Sequence, residues 1–196
     1  MGKLDDAERV SVETSAEWGR WLADNHATST GVWLVLFRKH VDGPTITYED
    51  AVVEALAWGW IDSVVRPLDD ARRLQWFAPR KKGSGWARTN KARIALLEQE
   101  GRMQAPGAAV IEAAKADGTW TLLDDVEALI VPSDLVEAFG RHPGAAQSWE
   151  SFPPSAKRFN LAWIVTAKRA ETRATRVEQV AENSARGERD NAWRKA

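Results

Sequence analysis

Asp62 is the acid whose neighbours most invite chemistry. It sits in Trp58-Gly59-Trp60-Ile61-Asp62-Ser63, two and four residues after two indoles. A carboxylate desolvated by indole rings titrates above its ordinary range and serves as a general base. The structural alternative is an Asp that pairs with an Arg across a sheet or caps a turn. No partner acid or base is fixed by the sequence around it.

The second chemical feature is a block of cations. Between Ala71 and Leu97 lie Arg72, Arg73, Arg80, Lys81, Lys82, Arg88, Lys91 and Arg93, with no acid among them. The whole chain has 27 basic and 28 acidic residues, so outside the block the balance is strongly acidic. Such a field beside Trp76, Phe77 and Trp86 suits an anion, because guanidinium forks grip phosphate or carboxylate and indoles stack on rings. Gly83-Ser84-Gly85, leading into a helix, adds backbone N–H groups that an anion can use. Trp86, Asn90 and Arg93 fall at i, i+4 and i+7, so a helix starting near Trp86 presents all three on one face. Arg80 and Lys81 lie in the preceding loop. The expectation is that Trp60, Asp62, Arg80, Lys81, Trp86, Asn90 and Arg93 converge on one concavity for a small anionic or aromatic ligand. The plainer reading is a hairpin edge guarded by cations and a solvated helix face.

Other chemistries find little support. With no cysteine there is no disulfide, thiolate site or cysteine nucleophile. His26, His40 and His142 are scattered in predicted loops, with no ligand-spaced partner such as H-x-x-x-H. Gly-x-Ser-x-Gly and the phosphate-loop pattern are absent. No metal and no cofactor are expected. Trp33, Trp120, Trp149 and Trp163 occupy apolar positions of predicted elements and read as core.

The elements that must position these residues are legible. Residues 9–13 alternate as a short edge strand. Thr14 caps a helix to about Asn25, with Glu17 completing a capping box and Trp18, Trp21 and Leu22 on one face. Val32 to Phe37 is the longest apolar run and reads as a buried central strand. Asp42-Gly43-Pro44 turns, and Thr47 caps a helix that Gly59 ends. Trp60 to Arg66 and Arg72 to Ala78 form a hairpin around Pro67-Leu68-Asp69-Asp70. Alternation puts Trp60, Asp62, Val64 and Arg66 on one strand face.

Beyond Gly101 only helices are expected, opened by Pro106, Ser133, Pro143 and Pro153-Pro154. In the last two, 156–168 and 171–186, Phe159, Trp163, Ile164, Val177 and Val180 recur at near-helical spacing and should face inward. The fold class is therefore α+β: a small antiparallel sheet with flanking helices, then an all-helical half. The boundary falls near residues 101–119, giving an α+β domain at 1–104 and a helical domain at 105–196. The 196 residues are 44% apolar, enough for a sizeable core, with Trp in excess at 11. No apolar run approaches the roughly 20 residues of a membrane span, and no export signal is seen, so the expected compartment is the cytoplasm.

Several segments together resemble a known family. They are Trp18-Gly-Arg-Trp-Leu, Gly31-Val-Trp-Leu, Tyr48-Glu-Asp-Ala-Val, Gly59-Trp-Ile-Asp-Ser, Trp86 with Asn90-Lys-Ala-Arg93, Phe152-Pro-Pro-Ser, Ala167-Lys-Arg and Glu171-Thr-Arg. In this order they are similar to the YdeI/OmpD-associated, or bacteriocin-protection, family over roughly residues 10–187. The resemblance implies a role in surviving cationic antimicrobial peptides. It also implies an outer-membrane porin partner and a periplasmic setting, against the cytoplasmic reading of the sequence itself. It supplies no catalytic residues.

Three functions compete at this point. One is a non-enzymatic, bacterial stress or bacteriocin-resistance protein that binds a small anionic ligand. Another is an enzyme using Asp62 as base and Arg80 or Arg93 as oxyanion clamp. The last is a nucleic-acid binder using the 72–93 block with Lys157, Arg158, Lys168, Arg169, Arg173 and Arg176. A net charge of −1 argues against nucleic acid.

Overall fold

A computed structural model describes residues 4–38, 41, 43 and 46–189. His40, the turn at Asp42 and Pro44, and the charged tail from residue 190 lie outside the described residues. The chain divides into two compact units, residues 1–84 with 89–117, and residues 85–88 with 118–196.

The first unit is built on a four-stranded sheet. In chain order it has β1 (Arg9–Ser11), α1 (Ser15–Asn25), β2 (Val32–Phe37), α2 (Tyr48–Ala57), β3 (Trp60–Pro67) and β4 (Arg72–Pro79). Then come α3 (Arg88–Gln99) and α4 (Ala105–Ala116). The strand order is β1-β2-β4-β3. β4 runs antiparallel to both β2 and β3, while β1 joins β2 in parallel. That parallel pair follows from its connection, since α1 carries the chain back to the starting end of the sheet. Val32 to Phe37 is central, as its composition requires, and nearly every residue in it is buried.

Local signals set the helix starts. Thr14 Oγ1 accepts from the Glu17 backbone N–H at 3.2 Å, and Glu17 reaches back to the Glu13 N–H at 2.8 Å. Thr47 Oγ1 accepts from the Asp50 N–H at 3.1 Å. One sheet face is closed by α1 and α2. There Trp18 donates its indole N–H to the Ala51 carbonyl and packs against Phe77, while Trp21 meets Trp60 edge-on at 5.8 Å. The other face carries a smaller cluster of Trp33, Val35 and Leu74, covered by Leu4, Ala7 and Leu68. α4 also belongs to this first unit, downstream of the expected boundary at 104/105. The Gln104 N–H, just before α4, donates to Ala57 O at the end of α2.

A β-bulge corrects the simple alternation expected for β3. Asp62 opposes Phe77 and Val65 opposes Gln75, so three steps on β3 match two on β4. The extra residue reverses the facing of everything after it. Arg66 thereby leaves the face of Asp62 and lies over the Trp33 ring, 5.0 Å from its centroid, on the far side.

The second unit is helical: α5 (Asp124–Glu127), α6 (Ser133–Arg141), α7 (Ala145–Ser151), α8 (Pro154–Val165) and α9 (Ala170–Ala185). Its core holds Leu135, Phe139, Trp149, Phe152, Leu161, Ile164, Val177 and Val180. Among the described residues no strand occurs after residue 104. Arg173 grips Asp134 with two hydrogen bonds at 2.8 and 3.1 Å, tying α9 to α6. Ile164, Val177 and Val180 face inward as their spacing requires. Phe159 and Trp163 do not go fully under. Both are half-buried, and Trp163 instead lies beneath the Arg176 guanidinium, 5.1 Å from the ring centroid. A cation on one face leaves that ring partly wet.

Candidate functional site

The strongest polar constellation of the first unit gathers at Asp62, on the sheet face that carries α2. Asp62 directly follows the Trp60-Ile61 start of β3, ahead of the bulge, and is half-buried. Its Oδ2 accepts from the Tyr48 hydroxyl at 2.8 Å and from the Gln75 side-chain amide at 3.3 Å. Tyr48 opens α2, placed by the Thr47 cap. Gln75 sits on β4 and is only 1% exposed, so its amide is fixed by packing. Arg73, two residues earlier on the same strand face, holds its guanidinium over the Tyr48 ring at 5.4 Å.

α3 supplies the other side. Arg93 donates from Nε and Nη2 to the two carboxylate oxygens of Glu49, at 2.7 and 2.6 Å, and from Nη1 to Asn90 Oδ1 at 2.7 Å. The Arg93 side chain is 20% exposed and that of Glu49 58%. The guanidinium is thus the fixed element and the carboxylate the wet one. The result is a half-buried cluster of two cations, two anions, a phenol and two amides.

The electrostatics follow from the pairing. Burial first, then the hydrogen bond to Asp62, pushes the Tyr48 hydroxyl up to about 12, against the opposing pull of Arg93 and Arg73. Tyr48 is therefore a hydrogen-bond donor at neutral pH and a poor proton shuttle. The Glu49 hydrogen bonds raise the Arg93 guanidinium further above its ordinary value, and the Tyr48 and Asp62 charges add to that. Arg93 in turn holds the Glu49 carboxyl below its ordinary 4.5. A lowered folded-state value stabilises fully above 4.5 and is lost as pH falls through the lowered value. Glu49 is mostly exposed, so the contribution stays below about 1 kcal/mol. A carboxyl-carbon NMR titration of Glu49 should show a midpoint below 4.5 that returns toward 4.5 in Arg93→Gln. An unshifted midpoint in the wild type would remove the ion pair from solution.

The seven residues expected to share a concavity are placed as follows. Asp62, Asn90 and Arg93 come together. Trp60 does not line an opening: it is 1% exposed and packs in the core against Trp21. Lys81 lines a separate cleft of about 820 Å³ with Trp76 and Ala78, side chains that alternate to the sheet face opposite Asp62. The Arg80 backbone N–H donates to Gly59 O, and burial lowers its guanidinium to about 10. Trp86 is not on α3, which begins at Arg88. It belongs to the second unit and packs against Trp120, ring centroids 5.1 Å apart. The i, i+4, i+7 face therefore holds for Asn90 and Arg93 and fails for Trp86.

The cation block is likewise dispersed. Arg72 faces Asp69 at 2.7 Å, Arg73 covers Tyr48 and Arg93 holds Glu49. β4 lies between β2 and β3, so Arg72 and Arg73 guard no sheet edge. Sequence reasoning missed Tyr48, Glu49 and Gln75. Gln75 did carry a signal, as a polar residue alternating with Phe77 on the inward face of a strand.

Comparison with known proteins adds two matches. Residues 10–110, which contain the whole Asp62 cluster, match the family described as a domain of unknown function (DUF8412). Residues 128–187 match the family described as bacteriocin-protection, YdeI or OmpD-associated. No curated protein and no solved structure matches the chain.

Proposed function

We propose, for a chain that belongs to the DUF8412 family over residues 10–110 and whose residues 128–187 match the bacteriocin-protection, YdeI or OmpD-associated family, that it is a non-enzymatic resistance-associated protein that binds a small anionic ligand at Arg93 and Arg73. One observation carries the reading. Glu49 sits on Arg93 as a bidentate carboxylate, the arrangement in which a guanidinium fork receives an anionic ligand. The receiving group is held by Asn90 and mostly buried, while the occupying carboxylate is exposed and released at the cost of a solvated ion pair.

An anion that displaces Glu49 meets the Arg93 fork, with Arg73 and the Tyr48 ring close by. Asp62 then orients Tyr48 and repels a second negative charge, which favours small, singly charged or neutral-tailed anions. The binding reading is preferred to a catalytic one on chemistry. Asp62 accepts from two donors on one oxygen, and the raised Tyr48 hydroxyl stays protonated near neutral pH.

Phosphate titrations at constant ionic strength, balanced with chloride, test this through the melting temperature. Phosphate is expected to stabilise the wild type beyond chloride. Glu49→Gln removes the internal competitor and should tighten phosphate about 2- to 5-fold, the range that an exposed ion pair of up to about 1 kcal/mol allows. Arg93→Gln should abolish the difference between the salts. Equal stabilisation by both salts, or a Glu49→Gln variant no tighter than wild type, would overturn the site.

A further inference from the structure

We infer that His142, Glu178 and Glu182 form a binding site for a first-row divalent cation of the zinc type. The trio lies in the second unit and is independent of the Arg93 site. His142 directly follows α6, and Glu178 and Glu182 are one turn apart on α9. One donor atom from each lies within 4.8 Å of the others. His142 Nε2 is 2.6 Å from Glu178 Oε1, and the Arg141 guanidinium holds the other oxygen, Oε2, at 2.6 Å.

Three arguments favour a cation. First, the geometry is nearly closed. Ligands about 2.0–2.2 Å from a tetrahedral zinc stand roughly 3.3–3.5 Å from one another. Inserting the ion requires the His142–Glu178 hydrogen bond to open and the Glu182 carboxylate to swing in, which side-chain torsions supply. Second, the ligand set is mixed. Two carboxylates alone would be an ordinary solvated pair, whereas an imidazole beside them supplies the borderline donor that first-row ions prefer over magnesium or calcium. Third, a supporting shell is present. Arg141 fixes the Glu178 carboxylate by the oxygen that the metal does not need, the outer contact that orients ligating carboxylates. The two carboxylates outweigh the one guanidinium, Arg141, so a dication is favoured by charge. A three-ligand site of this kind leaves a coordination position for water or a partner's side chain.

Zinc titrated into the chelator-treated full chain, followed by calorimetry, tests the site. One zinc per chain is expected, with no saturable binding of magnesium. His142→Ala and Glu182→Gln should each weaken binding at least 10-fold. Cobalt should give visible absorption bands that both variants lose. Glu182 is exposed and outside the His142–Glu178 bond, so its variant reports binding even if His142→Ala unfolds. Absence of saturable zinc binding overturns the proposal. So does wild-type affinity in Glu182→Gln, which would assign the ion to another histidine.

Discussion

Trp149→Ala is expected to cost the second unit about 3–5 kcal/mol, the range for emptying a large aromatic site in a packed core. Trp149 is 1% exposed, with Phe139 and Phe152 rings at 5.5 and 6.1 Å. It lies on a helix of only two turns, α7, which contributes little of its own stability. Removing the indole therefore leaves a cavity and also unpins the helix that carries it. Trp163→Ala is the natural comparison. That ring is half-buried under Arg176, so its loss should cost clearly less. Urea unfolding of both variants measures the difference. Equal destabilisation would show that the burial order of the two indoles is wrong.

Gly31→Ala should destabilise the first unit by about 2–4 kcal/mol. Gly31 enters β2 at φ 144, a region that side chains rarely adopt. A Cβ there would stand 2.2 Å from Trp76 Cζ2 and 3.0 Å from Phe77 O. The ring can swing aside, whereas the carbonyl belongs to the β4 ladder and is held by it. Gly83→Ala separates the two causes. Its φ is 83, yet nothing lies within 4 Å of the added carbon, so only the backbone penalty remains. If both variants melt alike, the Trp76 contact contributes nothing.

What the sequence made legible was whatever local chemistry determines. β2 and the hairpin are β-branched and aromatic between turn residues, and the caps at Thr14 and Thr47 are set within three residues. α5 was missed because four residues carry no periodicity. The bulge after Asp62 was missed because nothing in Ser63-Val64 distinguishes an extra residue from an alternating one. Trp86 was assigned to a helix because its spacing to Asn90 fits, although that helix starts two residues later. The Asp62–Arg93 meeting spans 31 positions and was anticipated only through charge and facing. Glu49 was invisible as the partner of Arg93, since it reads as an ordinary first-turn acid. His142 follows α6 while its two acids lie on α9, and only the i, i+4 spacing of Glu178 and Glu182 was open to inspection.

The assignment of residues 85–88 to the helical unit bears on how such proteins can recombine. The chain passes from one unit to the other and back before leaving for good at 117/118. A crossover between relatives at that point exchanges everything after it, yet leaves each helical unit with the 85–88 segment of the other parent. Trp86 would then meet a foreign residue at 120, and Gly85 a foreign residue at 123. A Cβ on residue 85 would stand 2.7 Å from the present Leu123 side chain. Selection should therefore couple positions 85 and 86 to positions 120 and 123, although the first pair falls inside one family's match and the second lies between the two. Chimeras that carry 85–88 along with 118–196 from the same parent should fold, and those cut once at 117/118 should expose the Trp120 indole, seen as a red-shifted emission.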